Sequence, residues 1–122
     1  MLVVRVAAGG SIKIVMAPGR QKPLEVKGLL GTLSIHLHLP GCASLKEKRG
    51  RIKPLMARLR REFNLSVAEV DLQDTWQQAV IGCAMIGNEQ AHLESVMQIV
   101  ARWVDANWTD GDVIAQKVEL IL

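Results

Sequence analysis

The sequence has no tyrosine, one phenylalanine and three tryptophans, so aromatic residues make up only 3% of its 122 positions. Any core must therefore be built from Leu, Ile, Val, Ala and Met. The same scarcity withholds the interleaved aromatic platform on which single-strand nucleic-acid modules stack bases. Cysteine is also scarce, and Cys42 and Cys83 are too few for a disulfide framework. No apolar run approaches the ~20 residues that a membrane-spanning helix needs. The opening MLVVRVAAGGSIKIVMAPG makes a poor secretory signal, because Arg5 and Lys13 interrupt its short apolar stretches. These absences point to a cytoplasmic globular protein, with no membrane association, and the length suits one domain. No P-loop, GxGxxG, GxSxG or HExxH motif is present. That favours a non-enzymatic role, with no catalytic residue, metal or cofactor assigned.

What is present is an uneven distribution of charge. The formal net charge of +3 and the pI of 9.1 hide three unlike parts. Residues 1–27 carry five basic residues against Glu25, and residues 44–62 carry eight against Glu47 and Glu62. The remainder has two basic and nine acidic residues, so from residue 28 onward the chain is close to neutral at −1. The pI is no sign of a generally basic domain. The chain is instead a polarised one with a single very basic element.

Residues 1–27 mix Gly, Pro and basic residues and are expected to form a poorly ordered extension. A misplaced start is the accompanying reading, with Val26 as the alternative initiation site. Residues 28–122 are expected to form a single domain. Residues 29–39 alternate: Leu33, Ile35, Leu37 and Leu39 share one side, while Thr32, Ser34, His36 and His38 share the other. That is a strand with one buried face, ended by Pro40-Gly41. Ser44 and Glu47 fit a capping box opening a helix, and Leu45, Ile52, Leu55, Met56, Leu59 and Phe63 form its apolar face. Pro54 lies inside this helix and predicts a bend. Leu65–Asp71 and Trp76–Ile86 read as a hairpin, Glu89–Asn107 as a second helix and Val113–Ile121 as a last strand. The order β-α-β-β-α-β is the ferredoxin-like pattern: a four-stranded antiparallel sheet with two helices on one face. The open face carries an apolar third strand, so a homodimer through the sheet is expected.

The runs LPGCASLKEKR (39–49), FNLSVAEVD (63–71), DTWQQA (74–79) and AHLE (91–94) resemble those of the small bacterial YlxP-like proteins, a family of unknown function. The resemblance covers about residues 28–122, and the 27-residue extension departs from it. It implies the ferredoxin-like fold and carries over no catalytic residue. Genes of this family often lie among those for translation initiation and ribosome maturation factors, which implies a role linked to the ribosome or to RNA.

The basic helix is the first candidate surface. Lys46, Lys53 and Arg60 form an i, i+7, i+14 stripe, Arg49 and Arg61 flank it, and Lys48, Arg51 and Arg58 extend it. Crowded like charges repel, so such a surface invites a polyanion, with salt-sensitive and largely sequence-independent phosphate contacts. Lys46, Lys48, Arg49, Arg51, Lys53, Arg60 and Arg61 are the nucleic-acid-binding candidates. The bland alternatives are a solvated helix face and an acidic protein partner. Glu69, Asp71 and Asp74 form an acidic group with enough carboxylates for a hydrated Mg²⁺, as a metal-dependent enzyme would need. The blander reading has the two aspartates satisfying hairpin amides and Glu69 paired with a cation. His36 and His38 lie about 7 Å apart along one strand face, a chelating spacing, but a closed zinc site needs four ligands. They read as polar teeth on the sheet. Cys42 reads as a turn residue beside a helix N-terminus, His92 as a partly buried packing residue, and Trp76, Trp103 and Trp108 as core and edge packing. A second functional class is a homodimeric protein-interaction or small-ligand module that uses the open sheet face.

Overall fold

The computed structural model describes Leu2–Val6, residues 18–19 and residues 28–121. The elements are β1 (Leu2–Val6), β2 (Leu29–His38), α1 (Leu45–Phe63), β3 (Ser66–Asp71), β4 (Gln78–Gly87), α2 (Gln90–Asn107) and β5 (Asp112–Ile121). From β2 onward this is the βαββαβ order of a ferredoxin-like α+β domain. The sheet order is β1-β5-β2-β4-β3. Strands β5, β2, β4 and β3 form the antiparallel four-stranded unit that the pattern predicts. Leu2–Val6 adds a fifth strand, parallel to β5, that the pattern did not assign. It covers backbone groups that β5 would otherwise leave open at the sheet's edge. The expectation of poor order for 1–27 falls, for most of that segment, outside the described residues.

The alternation in β2 is borne out. Leu33, Ile35, Leu37 and Leu39 are fully buried, while Thr32, Ser34, His36 and His38 on the other face are partly exposed. The buried residues join Ile81 and Cys83 of β4, Val67 of β3 and Val118 and Leu120 of β5 in one core with both helices. α1 packs against β3, and α2 packs against β2, β5 and β4.

Local chemistry sets the ends of α1. Ser44 Oγ accepts from the Glu47 amide at 3.0 Å, and Glu47 Oε2 accepts from the Ala43 amide at 2.7 Å. The capping box thus reaches one residue further back than its usual form. Asn64 ends the helix in the left-handed conformation, with φ of 51°. The helix runs unbroken through Pro54. α2 starts one residue later than expected, with Glu89 at its N-cap and no side-chain cap bond.

Two bulges were not foreseen. β3 shifts register between Glu69 and Asp71, and β5 shifts opposite His36 and Leu37. Each inserts a residue, Val70 or Ile114, and resets which side chains share a face. Gly111 leads into β5 with φ of 156°, and a Cβ there would lie 1.9 Å from the His38 carbonyl oxygen. Only glycine fits that turn.

Candidate nucleic-acid interface

The eight basic residues of α1 separate by what surrounds them. On a helix turning about 100° per residue, Lys46, Arg49 and Lys53 fall along one flank of the apolar stripe. Together with Gly50, Ile52, Met56 and the β3 residue Glu69, they line an open groove of about 500 Å³. Its rim is cationic and its floor, Ile52 and Met56, is apolar. Lys46, Arg49 and Lys53 are exposed and make no hydrogen bond or ion pair among the described residues.

The other candidates sit differently. Lys48 is corrected from a surface contact to a core residue: it is fully buried. Its ammonium lies 2.7 Å from Glu69 Oε2 and donates to the carbonyls of Leu72, Gln73 and Gln78 at 2.9–3.2 Å. Three N–H donors thus meet three carbonyl acceptors, with Glu69 beside them as the counter-charge, which is what makes a buried ammonium tolerable. The interaction closes the loop between β3 and β4 onto the start of α1. Arg51 lies on the opposite flank, where Asp110 accepts at 2.7 and 3.0 Å and the Pro40 carbonyl at 3.0 Å. The bond to Asp110 raises its pKa above the usual arginine range, so its charge is already answered. Arg58 sits 4.8 Å over the Trp103 ring, and Trp103 meets Phe63 edge-on. Arg60 is exposed and donates to the Val67 carbonyl at 2.7 Å, while Arg61 is exposed with only Glu62 at 3.9 Å.

The acidic group is dispersed. Glu69 pairs with Lys48 on the helix side of the sheet, as the blander reading expects. Asp71, aligned with Val80 by the bulge, falls on the other side and accepts from the Leu72 amide at 2.7 Å. Strand alternation alone would put Glu69 and Asp71 on one face, and the inserted Val70 separates them. Among the described residues no group of three or more His, Cys, Asp or Glu side chains is placed to hold a metal ion. His36 lies 2.7 Å from the Gln78 side chain, and His38 lies 3.2 Å from Asp112. Cys42 and Cys83 are free and buried. Burial pushes the Cys83 thiol up to about 12, against a weaker opposing pull from Arg60. His92 is exposed rather than partly buried. Trp108 is buried as expected, but Trp76, on the loop before β4, is 53% exposed. The strand expected to begin at Trp76 begins at Gln78, which leaves Trp76 in the turn before it.

A ferredoxin-like domain whose first helix carries a cationic flank without a partner among the described residues is the class these observations define. The profile of a family described as "Protein of unknown function (DUF503)" matches residues 30–118, and the chain belongs to that family. A curated relative is "Uncharacterized protein YlxP" of Bacillus subtilis (strain 168), 36% identical over 63 residues. The match spans 52% of this chain and 68% of that protein. The YlxP-like resemblance of the sequence is thereby shown. No helix among the described residues is long and apolar enough to cross a membrane.

Proposed function

We propose that this chain is a non-enzymatic, cytoplasmic housekeeping protein that associates with RNA or with ribosomal particles through the basic flank of α1. The observation that carries this reading is the convergence of Lys46, Arg49 and Lys53 on one groove with no partner among the described residues. Three unanswered cations on a rigid helix repel one another, and a polyanion relieves that repulsion. Arg60 and Arg61 extend the same exposed side toward the helix C-terminus. Lys48 and Arg51 do not belong to the surface, because core and loop acceptors already hold them.

The test is sedimentation of tagged protein with ribosomal particles at low and high salt. The wild type co-sediments at low salt and is released as salt rises. Lys46→Glu combined with Lys53→Glu abolishes co-sedimentation while the far-ultraviolet circular dichroism is unchanged. Wild-type protein without salt-dependent affinity for RNA or ribosomal particles ends the reading.

A second reading rests on the sheet face that no described element covers. Leu30, Val70 and Ile86 are exposed there, beside a trough of about 410 Å³ between β2, β3 and β4. A homodimer or small-ligand module uses that face instead. Its mark is a ligand-dependent rise in melting temperature with no response to RNA.

A further inference from the structure

We infer that the groove beside α1 seats a single unpaired nucleotide of the bound RNA, its phosphates on the rim and its base on the floor. This inference rests on the RNA-association reading and names the form of RNA that the same surface takes. Phosphate contact alone needs only an exposed row of cations, whereas this surface is recessed. The groove's volume of about 500 Å³ lies within the roughly 300–1,000 Å³ range of small-ligand pockets and is far too small for a duplex. Its chemistry is divided as a nucleotide's is. Lys46, Arg49 and Lys53 supply positive charge, and Ile52 and Met56 supply an apolar surface between them and the sheet.

The sequence offers no aromatic stacking platform here, and the groove contains two substitutes. A guanidinium plane stacks on a base, and Arg49 is exposed at the rim with no partner among the described residues. A methionine thioether makes favourable contacts with aromatic rings, and Met56 is half-buried in the groove. Gly50 leaves space: a Cβ at that position would meet nothing within 4 Å. Glu69 closes the far wall, and its attachment to the buried Lys48 fixes β3 to α1, so the groove is preformed. A base held in a duplex cannot enter such a recess, because its faces are already stacked. The groove therefore discriminates by pairing state rather than by sequence.

The experiment compares wild type and Met56→Ser for binding to a ten-nucleotide oligoadenylate and to a ten-base-pair RNA duplex, over a salt series. Wild type prefers the single strand, with a log–log salt slope near −2, as roughly 0.7 per phosphate gives for three cations. Met56→Ser, which adds no charge to the rim, leaves duplex affinity within about twofold and lowers single-strand affinity roughly tenfold, the size of a lost apolar contact. Met56→Leu, which keeps the floor apolar, retains most of the single-strand affinity. Circular dichroism and melting establish that each variant is folded, and Met56→Asn replaces Met56→Ser if the latter is not. Equal affinity for duplex and single strand, or equal losses for both in the Met56 variants, overturns the inference while RNA association stands. Stronger binding of a polyglutamate peptide than of the oligonucleotide overturns it in favour of an acidic protein partner. Absence of any salt-dependent RNA affinity in the wild type removes the underlying reading itself.

Discussion

At the scale of single residues, Lys48 shows why charge in a sequence is not charge on a surface. It sits among Leu45, Ile52 and Leu55 on the apolar stripe of α1, four residues before Ile52 and seven before Leu55. The sequence reading placed it with the surface cations, although its spacing to Ile52 and Leu55 puts it on that stripe. Its partners were not legible, because Glu69 and the carbonyls of Leu72, Gln73 and Gln78 are brought to it only by the docking of α1 against β3. Replacing Lys48 by Met strands the Glu69 carboxylate, which is only 16% exposed, and leaves three carbonyls unanswered. The expected cost is about 3 kcal/mol, the lower end of the range for breaking a buried pair. Adding Glu69→Met removes the stranded charge, so the double variant is more stable than Lys48→Met alone. It remains less stable than wild type, because the loop carbonyls still lack donors. Urea unfolding of the three proteins measures this ordering, and a double variant less stable than Lys48→Met would contradict the account.

At the scale of elements, what could be read from sequence depended on how strongly one face was buried. β2 was legible almost to the residue because its alternation runs from Thr32 to Leu39 and a one-residue slip would expose Leu33, Ile35 and Leu37. The bulges at Val70 and Ile114 were not legible, since neither inserted residue is a glycine or carries any local mark. β1 was missed because LVVRV is short and finds its partner more than a hundred positions away, in β5. In α1 the capping box and apolar stripe gave the helix, while the sorting of its cations into free, pinned and buried came from tertiary neighbours. Gly50 permits a clean test of how far helix propensity limits this element. It is exposed, lies mid-helix, and has open space where a Cβ would stand. Gly50→Ala is therefore expected to stabilise the protein by about 0.5–1 kcal/mol, by reducing the entropy lost on folding. Thermal melting monitored at 222 nm reads the change. A lower melting temperature would show that the turn around Gly50 and Pro54 needs glycine for a reason other than space.

At the scale of the whole molecule, two helices cover one face of the sheet and nothing described covers the other. The covered face holds the entire buried core, and the uncovered one is mixed in character. His38 with Asp112 and Lys117 with Glu119 make one part of it polar. Leu30, Val70 and Ile86 make another part apolar, with Ile86 76% exposed. Isolated surface hydrophobes need no explanation, but here the residues between them are small. Ser66, Ala68, Gly82 and Ala84 line the trough beside Val70, so a flat partner can approach the sheet closely. A second copy of the chain would satisfy such a face by two-fold symmetry, each apolar part meeting its counterpart, provided that about 800 Å² per protomer were buried. That requirement involves most of the open face and not just its apolar part, so one charge in the trough, at Val70, and one beyond it, at Ile86, are enough to disrupt it. Val70→Arg with Ile86→Arg is expected to convert a dimer to a monomer in sedimentation equilibrium at micromolar concentration. The core and the α1 groove stay intact, so circular dichroism is unchanged and any RNA affinity per protomer is retained. Lys46→Glu with Lys53→Glu is expected to have the reverse effect, removing any RNA affinity and leaving any dimer in place. Independence of the two pairs follows from their lying on opposite faces of the sheet. A wild-type protein that sediments as a monomer at these concentrations would exclude self-association through this face.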